Sequence, residues 1–237
     1  MMTRLMALIA TAFLFGCSTL PRPAAVMAVK DRDLWDTDRF LQFHPDVSYR
    51  KKALWALEQG DVSAAVDDLR QAARYGDKPA QALLAELYWG GEHLPRDPAL
   101  GYAWMDLAAE RGYALFLAKR ESYWRGLDST QRQLALEQGR QLYAEYGDQV
   151  AKPRMQALLR QARYAITGSR LGFVGSLTVQ VPINGIWKSF GGSQYYADRY
   201  WRADDYFEWT DSIWQPWPVG TVDVGGPSPV SEASVKP

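Results

Sequence analysis

The chain of 237 residues contains one cysteine, two histidines and no excess of either charge, with 27 Lys+Arg against 27 Asp+Glu. A single cysteine excludes an internal disulfide framework, and with two histidines it also excludes the common Cys/His zinc sites. Balanced charge supplies no basic field to hold a nucleic-acid backbone, so no nucleic-acid partner is expected. Only one long apolar run occurs, which excludes a polytopic membrane protein. Nucleotide-cradling glycine loops, His-Glu-x-x-His pairs and Gly-x-Ser-x-Gly elbows are missing, and no carboxylate pair stands out by context. The expectation is a non-enzyme without catalytic residues, metal or cofactor. What is abundant is aromatic: ten Trp and thirteen Tyr, at a mean hydropathy of −0.31 that is ordinary for a folded chain.

The single apolar run occupies residues 5–15, after Arg4 and the amino terminus. It is shorter than the about 20 residues that a membrane-spanning helix requires. A positive start, a short apolar stretch and a small residue beyond it are the parts of a secretory signal peptide. The only cysteine follows at once, in Leu14-Phe15-Gly16-Cys17. This stretch resembles a bacterial lipobox. The resemblance implies cleavage after Gly16, a covalent lipid on Cys17 and, since residue 18 is Ser rather than Asp, an outer-membrane anchor facing the periplasm. A plain signal peptide or a short N-terminal core helix is the alternative. Residues 1–16 are thus expected as signal peptide and 17–32 as a lipidated, flexible tether with two prolines.

The middle of the chain repeats. Ala72-Ala73-Arg74-Tyr75-Gly76 returns as Ala108-Ala109-Glu110-Arg111-Gly112, at an offset of 36 residues. Between them Ala80, Leu83, Leu84, Leu87 and Tyr88 share one helical face, and Gly90-Gly91 stop that helix. Asp97 and Pro98 suit the N-cap and first turn of the next helix, whose apolar face is Leu100, Ala103, Trp104, Leu107 and Ala108. At Ala80, Leu84, Ala85, Leu87, Tyr88, Gly91, Leu94, Asp97, Ala99, Ala103, Trp104, Ala108, Ala109 and Gly112 the chain resembles the Sel-1-like repeat family, relatives of the tetratricopeptide repeats. The family has Gly where Ala85 stands. The resemblance implies an α-solenoid that docks other proteins. Residues 47–76 read as a preceding helical pair turning at Gly60-Asp61. Residues 113–147 read as a third pair, with a capping box at Asp128 to Gln131 and Leu134, Leu136, Leu142 and Tyr143 on its second helix. A last helix over 151–165 caps the stack.

Beyond residue 166 the pattern changes. Leu177, Val179, Val181 and Ile183 alternate with polar residues, and Asn184-Gly185 predicts a β-hairpin returning over 186–190. Residues 193–218 are dense in aromatics interleaved with Asp198, Asp204, Asp205, Glu208 and Asp211. They read as an irregular extension. Either these rings pin it to the solenoid, or some face solvent as a platform for a glycan ring or peptide, with Trp187, Tyr200, Trp201, Trp209 and Trp214 as candidates. His44 and His93 are expected at the surface, Trp104 and Tyr88 in the repeat core. Residues 219–237, rich in Gly, Pro and Ser, are expected to be disordered.

The fold class expected is therefore mainly α: a short α-solenoid over 33–165, then a hairpin and aromatic extension over 166–218. The function expected is a lipid-anchored adaptor in the cell envelope, held to the membrane through Cys17 and binding envelope proteins through its helical groove. A peptidoglycan- or glycan-binding lipoprotein that uses the aromatic segment is the alternative.

Overall fold

A computed structural model of the chain describes residues 33–167, 177–183 and 185–215. The expectations for the signal peptide, Cys17, the tether and the 219–237 tail lie outside the described residues. Among the described residues the first part holds α1 (Asp38–Phe43), α2 (Pro45–Gln59), α3 (Val62–Arg74), α4 (Lys78–Gly90), α5 (Pro98–Ala108), α6 (Ala114–Gly126), α7 (Ser129–Tyr146) and α8 (Asp148–Thr167). A short 3-10 turn, Ala109–Arg111, links α5 to α6. Then come β1 (Thr178–Ile183), β2 (Ile186–Gly191), α9 (Gly192–Tyr195), α10 (Asp198–Trp201) and α11 (Ala203–Trp214). No helix among the described residues is long and apolar enough to cross a membrane.

Helix starts are written in aspartates. The side chains of Asp61, Asp77, Asp97 and Asp128 accept from the backbone N–H of Ala64, Ala80, Leu100 and Gln131, at 2.7–3.0 Å. Each such cap satisfies an orphan donor and contributes about 1 kcal/mol. At Asp128 the box is complete, since Gln131 accepts in return from the Asp128 N–H at 3.0 Å. Gly91 ends α4 in the left-handed region, φ +71°, where a side chain would also meet Cβ of Arg96.

Helices α2/α3 and α4/α5 pair as the expected hairpins around a core of Ala and Leu. Ala53, Ala65, Ala72, Ala80, Ala85 and Ala108 are buried where helices meet, and Trp104 fills the centre. The third pair departs from expectation. Helix α7 lies against α5 rather than folding back on α6. Ala135 and Gly139 give it a small-residue face, Tyr146 packs on Trp104 at 4.9 Å, and the Tyr143 hydroxyl donates to the Asp106 carbonyl. Leu134 and Leu136, on this helix as expected, consequently face solvent. Helix α6 lies near α4 and α5 instead, with Tyr123 stacked on Trp89 at 3.9 Å and Lys119 paired with Glu86.

The hairpin forms in the expected register, Thr178 opposite Gly191 through Ile183 opposite Ile186, with Gly185 at φ +78°. Val179, Val181 and Ile183 of the expected apolar face turn inward, whereas Leu177 is exposed. The following segment differs: it forms the three helices α9, α10 and α11. The acidic first turn of α11 suits a helix N-terminus, and Tyr206, Phe207, Thr210 and Trp214 share one face at helical spacing. Rings on neighbouring positions hide that period in the sequence.

These elements build a second core that ignores chain order. It combines Leu34, Phe40, Phe43 and Val47 with Met155, Leu159 and Ala162 of α8 and with Ile183, Phe190, Tyr195, Tyr200, Trp201, Tyr206 and Phe207. The division expected at 165/166 therefore does not separate two cores, because both ends of the described chain close over α8.

Candidate functional site

Helices α2, α4, α6 and α8 all follow turns that gather beneath α11. Asp46, Gly76, Asp77, Lys78, Arg111 and Tyr113 line one side of this seam, and Tyr206, Phe207, Thr210 and Trp214 the other. Helix N-termini carry partial positive charge, which suits the carboxylates that collect there. Arg111 is the centre. Its Nε and Nη2 donate to the two oxygens of Asp148 at 2.8 and 2.9 Å, and Nη1 donates to Asp211 of α11 at 3.0 Å. Tyr113 donates to the same Asp211 oxygen, while the guanidinium lies 4.9 Å from the Phe207 ring centroid.

Lys78 is buried alongside. Its Nζ reaches Glu110 at 2.6 Å, Asp148 at 3.2 Å and the Leu107 carbonyl at 3.1 Å. Three acceptors match the three N–H donors of an ammonium group, which favours the charged form although burial lowers its pKa. Burial alone would raise Asp148. The Arg111 hydrogen bonds and the charges of Arg111, Lys78 and Lys152 outweigh it and hold the carboxyl well below the usual range. A buried ion network of this kind fixes one arrangement, at a desolvation cost that only complete pairing offsets. It is a clamp.

The other end of the seam is less complete. Tyr206 donates to Asp46 Oδ2 at 2.5 Å, while Asp46 Oδ1 has no partner among the described residues. Asp77 caps α4 and meets Arg50 at 3.3 Å. Burial raises Asp46, and it pushes Asp77 up to about 6 against the pull of Arg50. The cavity here, about 20 Å³, has the size of one water molecule rather than of a substrate. Among the described residues, no group of three or more His, Cys, Asp or Glu side chains could hold a metal ion.

His44, expected at the surface, is fully buried. It stacks on Phe40 at 3.6 Å, faces Trp201 and Tyr206, and sits 2.8 Å from the Phe40 carbonyl and 2.7 Å from that of Tyr200. The burying rings come from α10 and α11, which no local pattern around His44 announces. Burial pushes its imidazole down to about 4, against the two carbonyls that favour protonation. This group therefore contributes stability above its ordinary 6.5 that is lost as pH falls through about 4. Asp77 has the opposite sign: its contribution is present below the ordinary carboxylate pKa and is lost as pH rises through about 6. Asp77→Asn keeps a good N-cap but removes this opposing arm. The variant's urea midpoint should then fall more steeply than the native one between pH 6.5 and 4; equal slopes would refute the opposition.

The five aromatic candidates part company. Tyr200 and Trp201 are 0% and 2% exposed, so neither offers a face to a ligand. Trp209 is half-buried between Trp35, Tyr200 and Tyr206, at 5.0–6.0 Å. Trp214 packs on Phe116 of the solenoid at 5.9 Å. These four pin the extension, which corrects the expectation that they form a platform. Trp187 alone stands out in solvent, 69% exposed on β2. Trp104 is in the repeat core as expected, and Tyr88 is half-buried with its hydroxyl accepting from Arg70. His93 is partly exposed in the α4–α5 loop.

The hairpin, its caps and its 36-residue recurrence thus stand where the spacing put them. The helical hairpins resemble Sel-1-like repeats. Among solved structures, the chain is similar to c5321, a protective antigen present in uropathogenic Escherichia coli strains and displaying an SLR fold. Identity is 28% and the TM-score 0.40, over 48% of this chain and 25% of that one, so the match spans about a quarter of the antigen's length. No protein-family profile matches the chain, and no curated protein is similar to it.

Proposed function

We propose that this Sel-1-like chain is a lipoprotein of the cell envelope, anchored through acyl chains on Cys17 and facing the periplasm, whose helical repeats dock another envelope protein. The lipobox-like Leu14 to Cys17, with the chain's only cysteine at its end, supports the anchor. The docking half is carried by one observation. Leu54 and Trp55 lie side by side on α2, 40% and 65% exposed, while the opposite face of that helix is packed into the solenoid. An exposed tryptophan is the kind of side chain that dominates binding energy at protein interfaces.

Truncating the chain at Ala165 would not isolate the repeats, because residues 190–207 complete the core around Phe40 and Val47. The test uses point changes in the full chain. A photoreactive phenylalanine analogue at position 55 should crosslink one discrete envelope protein in living cells, and Leu54→Glu in that background should abolish the adduct. Crosslinks no different from those at the exposed Glu58 would overturn the docking reading. The anchor is read separately: labelled palmitate should enter the native chain and be lost in Cys17→Ser.

A further inference from the structure

The hairpin is held by one face only. Val179, Val181, Ile183 and Phe190 turn toward the second core, whereas Ile186 and Trp187 at its tip are 66% and 69% exposed. Trp187 stands opposite Pro182 on the outer face, among the exposed polar Gln180 and Ser189. Lys188, the next residue, lies opposite Val181 on the inward face, and its Nζ meets Asp33 at 2.6 Å. Asp33 is the first described residue, and it follows Cys17 by 33 − 17 = 16 positions. Even fully extended, those residues reach at most about 58 Å. A chain fastened at Cys17 is therefore joined to its folded body beside the hairpin.

We propose that the hairpin tip, through Ile186 and Trp187, seats in the interfacial layer of the bilayer to which Cys17 fastens the chain, and so sets the orientation of the solenoid above it. This rests on the lipid anchor proposed above. Indole is suited to the headgroup level, with an apolar ring and one N–H donor, and tryptophan concentrates at that depth in membrane proteins. The polar residues around it belong in the same wet layer. Tethering removes the objection that two side chains bind a membrane weakly, because a confined segment meets the surface at high effective concentration. The seated hairpin acts as a second foot, turning a free swivel into a fixed stance.

The experiment uses the mature chain, residues 18–237, with a hexahistidine tag in place of the lipid. It is held on vesicles of phosphatidylethanolamine and phosphatidylglycerol that carry a nickel-chelating lipid. This form has no cysteine, so Ser189→Cys beside the intact Trp187 accepts a single environment-sensitive nitrobenzoxadiazole label, and Glu58→Cys on α2 serves as control. On vesicles, the label at 189 should shift to the blue and lose iodide quenching at least threefold, while that at 58 stays accessible. Adding Ile186→Ser and Trp187→Ala should return the 189 label to control accessibility without changing the unfolding midpoint. Equal quenching at the two positions overturns the proposal. So does protection at 189 that requires peptidoglycan rather than lipid. The tag supplies attachment, so these outcomes are independent of palmitate incorporation; absence of palmitate would refute the acyl anchor alone.

Discussion

Arg111→Ala is expected to destabilise the protein by about 3–5 kcal/mol, the range for breaking a buried ion pair by removing one partner. The guanidinium side chain is 7% exposed and serves both Asp148 and Asp211. With it, three cations (Lys78, Arg111, Lys152) face three anions (Glu110, Asp148, Asp211). Without it, Asp211 keeps only the Tyr113 hydroxyl, and Asp148 must rely on Lys78 and Lys152 at 3.2 Å. For a domain of this size the loss corresponds to about 10 °C in the thermal midpoint. Arg111→Lys should recover less than half, since a point charge cannot fork across both oxygens of Asp148. Pairing Arg111→Ala with Asp211→Asn should cost less than the two changes added, because the second removes the charge that the first strands. A urea titration that finds Arg111→Ala within about 1 kcal/mol of native would show that the network is decoration.

Trp201→Ala should be comparably damaging, at about 3–5 kcal/mol for a large aromatic truncated in a packed core. The indole touches the rings of Phe40, Phe43, His44 and Tyr195, and its Nε1 donates to the Tyr195 carbonyl at 2.8 Å. Removing it opens a cavity and strands that acceptor together. The C-terminal segment should then become sensitive to protease under conditions that leave the α4/α5 hairpin intact. Trp187→Ala, in contrast, should stay within about 0.5 kcal/mol of native, as surface substitutions do. The contrast has practical weight. Loss of wall or membrane binding in a Trp201 variant would report unfolding, and only a Trp187 variant can report contact. A Trp201→Ala protein as resistant as native would contradict the assignment of this ring to the core.

Where the fold was legible in the sequence, the signal was local. Aspartate before a helix, glycine after one, Asn-Gly between alternating strands and a 36-residue recurrence each depend on a few neighbouring residues, and each appears where its chemistry requires. Repeat packing follows from such signals because hairpins touch what lies next to them. Legibility failed where burial depends on distant partners. His44 looks like a loop histidine until Tyr200 arrives from 156 positions away. Leu134 and Leu136 are apolar yet face solvent, because α7 presents Ala135 and Gly139 to α5 instead. The clamp is intermediate: in the sequence Asp211 is one of five acidic residues set among the rings, and its partner Arg111 is visible only as a repeat residue. The spacing of 206, 207, 210 and 214 does carry the helical period of α11, though not the seam that it covers.

The second core ties the beginning of the folded chain to its end, and this changes how the molecule must be made. A solenoid of independent neighbours can fold as it is synthesised, one hairpin at a time, and can fray from either terminus. Here Phe40 and His44 wait for Tyr200 and Trp201, so ring closure over α8 comes last although it completes the first elements. Contacts of such long sequence separation slow folding and make it cooperative. Unfinished chains accordingly carry an open aromatic socket, a molecular tally of incompleteness that only the arrival of residue 207 erases.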